Sequence, residues 1–167
     1  MSYKDKLDKC LVSLDVGDHN ALFIVLAKDG TICRKGNGNP AANLEMLKGA
    51  SDLQHYEAYM MTINEDWFQF SGAFEQTPIV GRECKMLVVF SGPDGEEAGF
   101  KVNYGEDSQG PPKEIAEMVI NAVKLTEGWY QGERDKLKIQ PQPQPIISAV
   151  PQEVLETESS KWWEFWK

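Results

Sequence analysis

Cys10–Gly38, CLVSLDVGDHNALFIVLAKDGTICRKGNG, holds two apolar runs, a tight Asp29-Gly30 turn and a third, shorter run. That order predicts a three-stranded antiparallel meander. In the first run Cys10, Val12, Leu14 and Val16 alternate with Leu11, Ser13 and Asp15, a period of two with one strongly apolar face. Gly17-Asp18-His19-Asn20 then has the composition of a turn, with His19 a solvated loop residue. The middle run, Ala21–Ala27, contains no polar residue. Successive side chains on a strand point to opposite faces, so this run reads as the central strand, covered on both sides. An unpaired charge at Val25 would then unfold the domain. Asp29-Gly30 suits a type I′ turn, which joins the second strand to the third.

Working outward, Pro40–Lys48 reads as two turns of helix stopped by Gly49, with Leu44 and Leu47 facing inward. Two aromatic-rich runs, Tyr56–Ile63 and Trp67–Phe74, are separated by Asn64-Glu65-Asp66 and read as a second hairpin. The run CKMLVVF within Glu83–Ser91 looks buried on both sides, and Gly92-Pro93-Asp94-Gly95 returns it into Ala98–Tyr104 as a third hairpin. Pro111-Pro112 opens a helix whose inward positions are Ile115, Met118, Val119, Ala122 and Leu125, with Gly128 just past its last turn. The expected fold class is therefore α+β: an antiparallel sheet of about seven strands built from hairpins, with one long C-terminal helix packed on it, then a flexible tail.

The chain divides by composition into a globular domain over residues 9–131, a Pro/Gln-rich and acidic linker over 132–160 that includes KIQPQPQP, and an aromatic peptide over 161–167. At 167 residues with 41% hydrophobic content, the chain can bury one substantial core. Its formal net charge of -9 argues against nucleic acid as a partner, because phosphate binding draws on clustered Lys and Arg. The same acidity suits an acidic surface that docks a basic protein. Cys10, Cys33 and Cys84 stand singly within apolar runs, which fits neither a disulfide framework nor a zinc site and points to a reducing, cytoplasmic location. No secretory h-region opens the sequence and no run is long enough to span a membrane.

The sharpest chemical feature is Lys161-Trp162-Trp163-Glu164-Phe165-Trp166-Lys167. So much aromatic surface beyond a Pro-Gln tether calls for something to cover it: a protein partner, self-association, or a groove on its own domain. Glu164 and the acids upstream argue against a membrane surface. Trp162, Trp163, Phe165 and Trp166 are accordingly the partner-binding candidates. Candidate catalytic residues, metal ligands and cofactors are absent from this reading. His19 and His55 have no metal-ligand spacing, and Phe90-Ser91-Gly92 lacks the first Gly of a nucleophile elbow. The expected function is a non-enzymatic cytoplasmic protein-binding protein of adaptor, chaperone-like or inhibitor/immunity type.

The alternative is an enzyme. Leu14-Asp15-Val16-Gly17, a strand, and then Asp29-Gly30-Thr31-Ile32 resemble the opening hairpin shared by RNase H-like nucleases and actin-type ATPases. The resemblance implies metal-dependent nuclease or phosphotransfer chemistry, with Asp15 the first metal ligand and Gly17 beside a phosphate. Asp18-His19-Asn20 departs from the small hydroxyl residues usual there in the ATPases, and the nuclease pattern continues with strand and helix in alternation after the third strand.

Overall fold

The computed structural model describes residues 2–41 and 45–139. Residues 140–160 of the proposed linker 132–160, the aromatic peptide 161–167 and Leu44 lie outside the described residues. A 3-10 turn, Tyr3–Lys6, leads in, capped by Ser2, whose hydroxyl accepts from the Lys4 N–H. Seven strands and two α-helices follow: β1 (Lys9–Val16), β2 (His19–Ala27), β3 (Thr31–Gly36), β4 (Met46–Ala50), α1 (His55–Thr62), β5 (Gly72–Glu75), β6 (Glu83–Ser91), β7 (Glu97–Gly105) and α2 (Lys113–Ile139). The fold is α+β, with all seven strands in one sheet in the order β4-β3-β2-β1-β6-β7-β5.

The meander and the β6–β7 hairpin match the sequence reading in which strands pair. Its central strand differs: β1, not β2, sits in the middle, because the long-range antiparallel pair β1–β6 extends the sheet on the far side of β1. The turn after β2 differs as well. Gly30 alone takes positive φ (97°), whereas type I′ requires it at both central residues. His19 is exposed as expected, but it opens β2 rather than sitting in the turn.

Four expectations are overturned. Met46–Ala50 is an edge strand paired with β3, not the end of a helix. Tyr56–Ile63 is chiefly helical: α1 buries Tyr56, Tyr59 and Met60, with Ile63 just after it, a spacing of three, four and seven that matches helix rather than strand. Trp67–Phe74 is mostly a 3-10 helix, Glu65–Phe70, followed by the short β5, which runs parallel to β7, so the sheet is mixed. Finally, α2 does not stop at Gly128: the 27-residue helix runs to Ile139, so 132–139, read as the start of the linker, are helical.

Both α-helices pack on the same side of the sheet. One core cluster joins Cys10, Val12 and Leu14 of β1, Leu22, Ile24 and Leu26 of β2, and Met86, Val88 and Phe90 of β6 to Tyr59 of α1 and to Met118, Val119 and Ala122 of α2. Each large side chain buried there contributes roughly 1.5 to 3 kcal/mol. Phe90 stacks on Tyr59 at 6.2 Å and meets Phe68 edge-on at 5.2 Å. A buried polar cluster fixes the middle of α2. Arg34 of β3 is 0% exposed and donates to the Val123 carbonyl, to Thr126 Oγ1 and to the Gly36 carbonyl. Its Nη2 also forms an ion pair with Glu127 Oε2 at 2.7 Å. Burial pulls the Arg34 pKa down and Glu127 pulls it back up.

Candidate functional site

Alternation divides every strand between the helix side and the opposite side, and no described helix covers the opposite side. There the cross-strand register assembles rows of side chains. One row reads Lys48, Cys33, Val25, Leu11, Val89 and Gly99, from β4 through β3, β2, β1 and β6 to β7. The next reads Met46, Lys35, Phe23, Ser13, Leu87 and Lys101. Leu11, Phe23, Val25, Cys33, Leu87 and Val89 are all partly exposed, and this corrects the expectation that β2 and β6 are covered on both faces. Their even-numbered neighbours Leu22, Ile24, Met86 and Val88 are 0% exposed.

The charge on this face runs against that of the chain. Lys9, Lys35, Lys48, Lys85 and Lys101 stand on it with Asp15, Glu75, Glu83 and Glu97, whereas the whole sequence has 17 basic and 26 acidic residues. Glu75, Glu83 and Glu97 lie at strand ends. The apolar rows are framed by Lys48, Lys35 and Lys101. A surface of this composition suits an extended or helical polypeptide with apolar groups at its centre and carboxylates at its edges.

Asp15 sits at the edge of the same face. Its Oδ1 accepts from Asn20 Nδ2 at 2.7 Å, and its backbone is paired opposite Lys85. A shift of register between Leu14 and Asp15 brings Asn20 across from it. Among the described residues no three His, Cys, Asp or Glu side chains converge as a metal-ion group. After β3 the chain makes β4 rather than the helix that the nuclease pattern calls for. His55 Nδ1 lies 2.8 Å from Ser51 Oγ, and burial holds its pKa below the usual value. Cys10 and Cys84 belong to the helix side, where burial pushes their thiols up to about 12 and about 11. Cys33 is partly exposed on the other face.

Comparison with protein-family models and with curated proteins gives no match. Among the described residues, no helix is long and apolar enough to cross a membrane.

A second apolar feature lies on the helix side. Trp67, Phe70, Phe74, Phe100, Pro112, Ile115 and Met118 line a partly open cleft of about 180 Å³, with Glu114 as its charged member. Phe70 stands 62% exposed at this cleft. The sequence reading placed these aromatics on strands and so did not bring them together; the 3-10 helix and the parallel β5–β7 pair do. The partner-binding candidates Trp162, Trp163, Phe165 and Trp166 lie outside the described residues.

Proposed function

We propose that this is a non-catalytic polypeptide-binding domain. Its docking surface is the sheet face opposite the helices, and its partner is an acidic, partly apolar polypeptide. The observation that supports the reading is the pair of largely apolar rows, Cys33-Val25-Leu11-Val89 and Phe23-Ser13-Leu87, framed by lysines in a protein of net charge -9. Apolar contact supplies the affinity, and the lysines orient carboxylates at the rim. The remaining acidic surface repels the same partner everywhere else, which confines it to this face. Trp162, Trp163, Phe165 and Trp166 form a second, tethered docking element in an adaptor, chaperone-like or inhibitor role. A cytoplasmic setting suits the single, unpaired cysteines.

The test uses the full-length protein and two fluorescently labelled peptides that share the same Leu/Val positions, one carrying Glu and the other Lys between them. Anisotropy titrations are expected to show saturable binding of the Glu peptide that weakens with added salt, and weaker binding of the Lys peptide. Equal affinity for the two peptides, or no binding of either, overturns the assignment.

A further inference from the structure

We infer that the cleft between the 3-10 helix, β5 and the start of α2 is the receptor for an aromatic ring of the chain's own segment Lys161–Lys167. This rests on the reading of Trp162, Trp163, Phe165 and Trp166 as a docking element, but not on the partner proposed for the sheet face.

Size comes first. A dry apolar cavity of ~150 Å³ takes up a benzene ring, and the cleft offers about 180 Å³. One aromatic side chain fits there. Four aromatic residues line it, and rings entering such a wall gain edge-to-face or offset contacts in addition to the area they bury. Phe70, already 62% exposed at the mouth, becomes covered by the incoming ring.

Reach is the second argument. Helix α2 begins at the cleft and ends at Ile139, 27 residues on, so the cleft lies ~40 Å back along the helix axis. The twenty-two residues 140–161 carry the Pro-Gln repeat and span up to ~68 Å in extended form. The segment therefore reaches the cleft of the same molecule with slack to spare, and the linkage raises its local concentration there.

Charge is the third. The aromatic residues of the segment lie between Lys161 and Lys167, and the charged group at the cleft is Glu114, at the exposed start of α2. A ring seated in the cleft brings one of these lysines within range of that carboxylate.

The experiment labels all five tryptophans of the full-length protein with 5-fluorotryptophan and assigns the ¹⁹F resonances by single Trp→Phe changes. At least one of Trp162, Trp163 and Trp166 is expected to resonate away from the random-coil position. Phe70→Glu, at a residue already exposed, is expected to return it to the random-coil position while Trp129 stays put, and Glu114→Lys is expected to shift it part of the way. The dispersed resonance should be unchanged over a hundredfold dilution. Random-coil positions for all three tryptophans overturn the proposal, as does a dispersed resonance that ignores Phe70→Glu or one that fades on dilution, the last showing a second copy as the receptor. Binding of the Glu peptide, measured on the same Phe70→Glu protein, is expected to match the parent, so failure at the cleft and failure at the sheet face are read separately.

Discussion

The two faces of one sheet are built from alternate residues of the same strands, yet they hold different chemistry. On the helix side Val12, Ile24, Met86 and Val88 are 0% exposed and packed against α1 and α2. On the other side Leu11, Val25, Leu87 and Val89 are their immediate neighbours in sequence and remain partly exposed. Hydrophobicity alone does not separate the two sets; the position of the helices does. A strand that is apolar on both faces therefore signals either two covering layers or one covering layer and one surface kept for a partner.

The largest difference between the faces should appear in paired substitutions. Ile24→Asp places an unpaired carboxylate in the closed core and should cost more than ~4 kcal/mol, abolishing the cooperative melt. Val25→Asp, one residue along on the partly exposed face, should cost less than ~2 kcal/mol and keep the parent circular dichroism. Equal losses in thermal or urea unfolding would mean that both faces are closed.

Thiol accessibility divides the faces next. With Ellman's reagent at pH 8, Cys33 should react in the native protein, whereas Cys10 and Cys84 should wait for unfolding and react slower by ~10³-fold or more. Three equal rates would contradict the burial pattern.

A pH series follows from the same burial. The folded state holds Cys10 as the protonated thiol, raised from 9.0 to about 12, so the fold binds this proton more tightly than the unfolded chain does. That contribution to stability is fully present below pH 9 and is lost as pH rises toward 12. At pH 10.5 the loss should be about 2 kcal/mol. Cys10→Ala should make the alkaline decline shallower, Tyr59 remaining as a second buried acid whose pKa is raised in the same direction. An unchanged slope in urea denaturation at pH 8 to 10.5 would remove Cys10 as a cause.

The smallest effect on the fold belongs to the rim. Lys85→Glu with Lys101→Glu should change stability by less than ~0.5 kcal/mol, since both residues are exposed. It should weaken the Glu peptide by ~10-fold, mostly at low salt. Unaltered affinity would show that the lysines do not select the partner.

Much of the fold was legible. The period-two runs of β1 and β7 and the position of the turn at Asp29-Gly30 report local geometry, which the sequence states directly. The stripe from Ile115 to Ala122 does the same for α2. What failed depends on contacts far apart in sequence. Met46–Ala50 has helix-like punctuation around it, but the open edge of β3 recruits it as a strand. Helix α2 runs through Gly128 because residues beyond it are held from outside: the Tyr130 hydroxyl donates to the Glu45 carbonyl and accepts from the Gly36 N–H. The spacing Tyr56, Tyr59, Met60, Ile63 was the available sign of α1, and the strand preference of aromatic residues obscured it. The sheet-face rows were half legible: the apolar residues could be named, but which side the helices cover could not. The lysine frame needed the cross-strand register, above all the pair β1–β6.

Binding of an acidic polypeptide to the sheet face opposite α1 and α2 is tested most directly by chemical-shift mapping of the full-length protein titrated with the Glu peptide. The expected result is a set of saturable shifts centred on Leu11, Val25, Cys33, Leu87 and Val89, with α1 and the buried side of α2 unmoved. Shifts gathered on the helices, or none at saturating peptide, would contradict it.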